Sequence, residues 1–207
     1  AGLPNVAIRI PENPVAVGLL QEFGGPIAAP SANRSGHISP TEAAHVLDGL
    51  DGRIDAVIDG GRCAVGLEST IIGFEAGNPV LLRPGGVPLE ALQQASATTV
   101  VTRTESAGIT APGQLSSHYA PASPVRLNVL RPEKDEVWLG FGPECLDADL
   151  SLSATGDLVE AASNLFSALR KLDKLAAGRR IAVAPVPGTG LGLAINDRLH
   201  RAAAPRS

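Results

Sequence analysis

Methionine is absent from the 207 residues, Trp and Tyr occur once each, and Phe occurs four times. So thin an aromatic supply argues against a base-stacking platform of the kind that grips single-stranded nucleic acid. The two cysteines, Cys63 and Cys145, cannot build a disulfide framework or, by themselves, a four-ligand zinc site. They are expected to be two buried, reduced thiols. No apolar run approaches the roughly 18 residues of a membrane span. The Ala-Gly start lacks the basic and apolar regions of a secretory signal. It fits either removal of an initiator or a chain cut from something longer. A soluble, cytoplasmic protein is the expectation. Lysine is missing from residues 1–94, where five Arg face ten acidic residues, a balance of −5. Residues 95–207 carry +1. Neither part has the basic excess of a general nucleic-acid binder.

What is present is enough apolar material for a packed core, 44% hydrophobic against 18% charged residues. The length suits one large domain or two small ones. In residues 1–94, short apolar runs alternate with Gly/Pro punctuation. Val6–Ile10, Pro26–Pro30, Ala56–Asp59, Ser69–Phe74 and Val80–Arg83 read as strands. Helices are expected at Pro14–Phe23, closed by Gly24-Gly25, at Thr41–Leu50 with Thr41 as N-cap, and from Leu89. Strands outnumber helices, which predicts an α+β sheet domain. Residues 95–122, rich in Ser, Thr and Ala and punctuated by Pro, read as a linker. Residues 123–207 alternate strand (Val125–Val129, Val137–Phe141, Ile181–Val186) with helix (Leu158–Asp173, Ala194–Ala203). That pattern predicts a small parallel α/β domain.

Four polar segments can carry chemistry. Pro30-Ser31-Ala32-Asn33-Arg34-Ser35-Gly36 follows an expected strand and is either a Ser/Asn turn or a loop that holds a phosphate or carboxylate. Gly66-Leu67-Glu68-Ser69-Thr70 feeds a strand. Ser69 lacks the G-x-S-x-G of a nucleophile elbow, so it is a structural serine or a donor to a substrate carboxylate. Arg83, before Pro84-Gly85-Gly86, is a surface residue at a turn or a planar fork for an anion. His118-Tyr119, between two Pro turns of the linker, either serves structure alone or folds over a site as a lid. Gly188-Thr189-Gly190-Leu191-Gly192 departs from G-x-G-x-x-G because position 193 is Leu, and no P-loop motif occurs. The four His have no metal-site spacing, so no metal ligand is assigned.

Taken in order, Pro30–Gly36, Asp59–Gly61, Gly66–Ile72, Leu82–Gly86 and the His118-Tyr119-Ala120-Pro121 linker resemble the two-domain threonylcarbamoyl-AMP synthases. Residues 190–203 resemble the end of that family's second domain. The resemblance implies a YrdC-like α+β twisted-sheet domain at 1–94, a linker or lid at 95–122 and a Rossmann-like α/β domain at 123–207. It implies conversion of L-threonine, bicarbonate and ATP into threonylcarbamoyl-AMP and pyrophosphate, with Mg²⁺ accompanying ATP and no organic cofactor. Downstream enzymes would then pass the group to an adenosine of tRNA. No nucleophile is implied. The resemblance places Asn33, Thr41, Arg83, His118 and Tyr119 on ATP, and Ser31 and Ser69 on threonine. It begins in the middle of the first domain, without the Lys/Arg pair that grips the triphosphate in the family, so weak activity or none is the expectation. Two other readings remain open. One is a carbamoyl-adenylate former resembling the carbamoyltransferases of hydrogenase maturation. The other is a double-stranded-RNA-binding module with weak RNA affinity, which the −5 balance disfavours.

Overall fold

The computed structural model describes residues 5–102 and 118–205. Helix α1 (Pro14–Phe23) starts where Asn13 Oδ1 accepts from the backbone N–H groups of Val15 and Ala16, with Pro14 at the first helical position. It stops at Gly24, whose φ of +70° suits glycine. Helix α2 spans Ala43–Leu50. The residue at its N-cap is Glu42, with no side-chain capping bond, and not the expected Thr41. Thr41 is instead buried just before the helix, and its hydroxyl meets His45 Nδ1 at 3.3 Å.

Strands β1 (Ile71–Glu75) and β2 (Asn78–Arg83) form an antiparallel hairpin. Helix α3 (Leu89–Ala95) follows, and β3 (Val101–Thr102) lies parallel to β2, giving the order β1-β2-β3. Three expected strands, Val6–Ile10, Pro26–Pro30 and Ala56–Asp59, are not formed. A strand exists through its ladder, and among the described residues no partner pairs with them. Their side chains stay in solvent, Val6 at 82% and Ile10 at 92% exposure. Within residues 5–60, only Ile38, Ser39 and Thr41 are buried.

The second sheet is parallel throughout. It contains β4 (Val125–Arg126), β5 (Glu136–Gly140), β6 (Leu150–Ser151) and β7 (Arg180–Val183) in the order β4-β7-β5-β6. The long helix α4 (Leu158–Ala176) and the last helix α5 (Leu191–Ala203) form its core layer. Alternation along the strands sorts the side chains. Val137, Leu139, Ile181 and Val183 join the α4/α5 core, while Trp138, Ala182 and Ala184 belong to a smaller cluster with Val129 and Cys145. Leu165, Leu169 and Leu172 on α4 are fully buried, each contributing about 1.5–3 kcal/mol of transfer free energy. Helical spacing made α4 legible, although its observed end lies beyond Asp173.

The molecule is thus mixed α/β, one small mixed sheet and one parallel sheet, tied together by close contacts. Gly66, at φ +72°, lies so near α4 that a Cβ would sit 2.4 Å from the Ala162 carbonyl oxygen. Arg62 Nη2 donates to Asn164 Oδ1 at 2.9 Å, and Lys174 faces Asp48 at 3.3 Å. Of the two cysteines, Cys145 is buried as expected, but Cys63 is exposed. Cys63 sits in the irregular stretch before Gly66, outside both core clusters.

Candidate functional site

Polar segments from around the first sheet converge on one buried arginine from the far end of the chain. Arg198 on α5 is 0% exposed. Its Nε donates to Glu68 Oε2 at 2.9 Å, its Nη1 to Asp197 Oδ2 at 2.5 Å and its Nη2 to the Pro84 carbonyl oxygen at 2.9 Å. The guanidinium also lies 5.3 Å from the centre of the Tyr119 ring. Glu68 accepts a second bond, 2.8 Å from Ser39 Oγ, so the loop after Ile38 joins the same network. Asp197 is shared with Arg201 at 2.9 Å. A buried charge is tolerated only when its donors and acceptors are matched, and here each guanidinium nitrogen has an acceptor.

The neighbouring segments are held by backbone. Gly86 N donates to the Glu68 carbonyl oxygen at 3.0 Å, which clamps the Pro84-Gly85-Gly86 turn against Glu68-Ser69. Gly85 has no room for a side chain: a Cβ would stand 2.3 Å from that same oxygen. Pairing of Ile71 with Arg83 in the hairpin brings the two motifs side by side. Arg83 then turns inward, and its Nη2 donates to the Ser69 carbonyl oxygen at 2.6 Å.

His118 and Tyr119 close the cluster. Tyr119, 1% exposed and at φ +61°, stacks on Phe166 at 5.4 Å and meets the His118 ring edge-on at 4.1 Å. His118 N donates to the Arg201 carbonyl oxygen, and Ala120 N to that of Gly36, so this segment bridges α5 and the Asn33–Gly36 loop. The rest of the expected lid, residues 103–117, lies outside the described residues.

Electrostatics follow from burial and pairing. Burial pushes the Glu68 carboxyl up, but the Arg198 charge and hydrogen bond outweigh it and hold the carboxyl below the usual glutamate range. Burial pushes the Tyr119 phenol up to about 12. Burial lowers the His118 imidazole from its ordinary value, against the pull of Glu68 and with help from Arg198, Arg201 and Arg83. Its Nδ1 is buried and has no hydrogen-bond partner among the described residues.

Of the residues singled out in the sequence, Ser69, Arg83, His118 and Tyr119 lie around this network. Asn33 is half-buried, and its amide Nδ2 donates to the carbonyl oxygens of Arg34 and His37, folding its own loop. Ser31 is exposed on that loop. Thr41 is buried and bonded to His45, and its carbonyl oxygen takes Cys63 N at 2.9 Å. Sequence reasoning missed Glu68 and Arg198 as partners. The available signal was phase: Leu191, Ile195, Arg198, Leu199 and Ala202 form one helical stripe, so an arginine falls on the buried face. Among the described residues no group of three or more His, Cys, Asp or Glu could hold a metal ion, and no helix is long and apolar enough to cross a membrane.

Comparison with known proteins points to one family. A family model described as telomere recombination matches residues 1–85, and the model of the threonylcarbamoyl-AMP synthase C-terminal domain matches residues 87–204. The chain is 38% identical to the threonylcarbamoyl-AMP synthase of Bacillus subtilis, over 100% of this chain and 65% of that protein. It is also 38% identical to the Pyrococcus abyssi enzyme of the same name, over 97% and 64%. The crystal structure of P. abyssi Sua5 complexed with L-threonine superposes with a TM-score of 0.84 at 35% identity, covering 98% of this chain and 65% of that one. A variant of that protein, with a His and the following Tyr both replaced by Ala, gives 0.82 at 33% identity, over 98% and 64%. The chain thus spans just under two thirds of these relatives' length. One of the two matching models alone covers more than half of the chain, and on that ground the chain belongs to the threonylcarbamoyl-AMP synthase family.

Proposed function

We propose that this protein condenses L-threonine, bicarbonate and ATP to threonylcarbamoyl-AMP and pyrophosphate, acting as a nucleotidyltransferase. The observation that carries this reading is the Ser69–Arg83 contact beside His118 and Tyr119, a polar cluster that offers positioning groups and no activated nucleophile. Bicarbonate, as carbon dioxide, adds to the threonine amine, which loses a proton and becomes an N-carboxylate. A carboxylate oxygen attacks the α-phosphorus of ATP. The bond to the bridging oxygen breaks, and pyrophosphate leaves. No covalent enzyme intermediate is needed.

In this reading Ser31 and Ser69 hold threonine, and Asn33, Arg83, His118 and Tyr119 hold ATP. Thr41, buried and bonded to His45, is the fifth ATP contact of this reading. His118, edge-on to the Tyr119 ring, presents its imidazole to the nucleotide in this reading. Mg²⁺ arrives with ATP, carried by phosphate oxygens and water. Residues 1–94 then form the catalytic part, 95–122 the linker or lid and 123–207 the α/β part that supplies Arg198. The product passes, in the cytoplasm, to enzymes that modify a tRNA adenosine.

The test is the product itself. With ¹³C-bicarbonate, ATP and L-threonine, mass spectrometry should find an adenylate carrying both the label and the amino acid. A label-free adenylate, or one formed equally with other amino acids, would refute the reading.

A further inference from the structure

Helix α5 belongs to the second half of the chain, and it makes a bridge back to the first. On one side it holds His118-Tyr119. The Arg201 carbonyl oxygen accepts from His118 N at 3.2 Å, and the Arg198 guanidinium lies 5.3 Å from the centre of the Tyr119 ring. On the other side the same guanidinium donates to Glu68 Oε2 and to the Pro84 carbonyl oxygen, both at 2.9 Å. Glu68 immediately precedes Ser69, and Pro84 immediately follows Arg83. Ser69 and Arg83 are already tied to each other by bonds that do not involve Arg198: the Ile71–Arg83 pairing, Gly86 N to the Glu68 carbonyl oxygen, and Arg83 Nη2 to the Ser69 carbonyl oxygen. What Arg198 adds is the registration of that pair against His118-Tyr119. A buried ion pair adds little net stability over well-packed apolar side chains of the same volume, so its distinctive contribution is the geometry it dictates. A planar fork dictates that geometry more tightly than a point charge does.

We propose that Arg198 is a positioning residue for ATP: its fork sets His118-Tyr119 against Arg83, so that the nucleotide is gripped from two sides. The inference rests on the reading above, in which Arg83, His118 and Tyr119 hold ATP while Ser31 and Ser69 hold threonine. Arg198 is 0% exposed, so it acts through its neighbours and not by touching substrate. The geometry treats the two substrates differently. Without the fork, Tyr119 loses the cation over its ring, and the Pro84 carbonyl oxygen beside Arg83 loses its donor. Burial lowers the Arg83 guanidinium, Arg198 adds to that lowering and Glu68 opposes it. With the Arg198 charge removed, Glu68 is a carboxylate that draws Arg83 toward itself. Ser69 keeps its place, because Glu68 retains Ser39 Oγ at 2.8 Å and its carbonyl oxygen retains Gly86 N at 3.0 Å. Loss of Arg198 therefore reaches the ATP contacts and spares those of threonine.

The test is calorimetric titration of the full chain with ATP and Mg²⁺, and separately with L-threonine, in wild type, Arg198→Met, Arg198→Lys and Val129→Ala. Lysine keeps the charge, but its single ammonium cannot span Glu68 and Pro84 as the fork does. Both Arg198 variants should weaken ATP about ten-fold, roughly the worth of one hydrogen bond, and change threonine by less than about two-fold. Val129→Ala, which opens a cavity in the cluster around Trp138, should lower the melting temperature and move neither affinity. If Arg198→Met fails to fold, Arg198→Lys decides. ATP affinity in Arg198→Lys equal to wild type would leave charge and not placement as the cause, and would overturn the proposal. Equal weakening of both substrates, or the same ATP loss in Val129→Ala, would overturn it by reducing Arg198 to a structural residue. No saturable ATP binding by wild type would overturn this inference and the proposed function together. The split between ATP and threonine, without any labelled adenylate from wild type, would support the inference and count against the proposed function alone.

Discussion

Replacing Arg198 by Met keeps most of the side-chain length and removes the charge that joins α5 to Glu68, Asp197, Pro84 and Tyr119. Breaking a buried ion pair costs about 3–5 kcal/mol when the remaining charge stays uncompensated. Here Glu68 retains the Ser39 hydroxyl and is 22% exposed, and Asp197 retains Arg201, so the low end, about 3 kcal/mol, applies. In a chain of this size that corresponds to a melting temperature lower by roughly 6–12 °C. Unfolding followed through the single Trp138, which packs in the parallel-sheet unit, measures it. The pH dependence adds a second readout. Glu68 is held below its ordinary range, so its contribution is present above the unfolded carboxyl value of 4.5 and is lost as pH falls through the lower folded value. Wild-type stability should therefore drop on acidification below that point. In Arg198→Met the arginine's lowering of Glu68 is gone and burial is opposed only by the Ser39 and backbone hydrogen bonds, so this part of the acid loss should shrink. Adding Glu68→Gln to Arg198→Met should recover part of the loss, a non-additive result. A variant within about 0.5 kcal/mol of wild type, with an unchanged acid profile, would refute the reasoning.

Two further outcomes follow from the packing. Gly66→Ala places a methyl against the α4 backbone at a left-handed φ and should cost more than about 1 kcal/mol, measured by urea unfolding, whereas Gly24→Ala meets no neighbour and carries only the conformational cost. A thiol reagent should titrate one cysteine quickly in the folded chain, Cys63, and the second, Cys145, only on unfolding; two fast thiols would contradict the buried cluster around Trp138.

The parallel unit was legible because its signals are internally complete. Leu165, Leu169 and Leu172 repeat at helical spacing, and Ile181–Val183 is a buried run between two other strands. The first unit was less so. Val6–Ile10 has the composition of a strand, but a strand requires a ladder, and composition cannot supply the partner. The nearness of Ser69 and Arg83 rests on hairpin register, Ile71 opposite Arg83, which neither motif states by itself. Arg198 was hidden for a different reason. An arginine near a helix end reads as solvated, and only its place on the stripe with Ile195 and Leu199 marks it as buried. Its acceptor, Glu68, lies 130 residues away in sequence, beyond any local pattern.

The most direct test of the central claim is pyrophosphate release from ATP by the purified chain, with L-threonine and bicarbonate each omitted in turn. The account predicts release that requires both. Release that persists without threonine, or none under any condition, would contradict it.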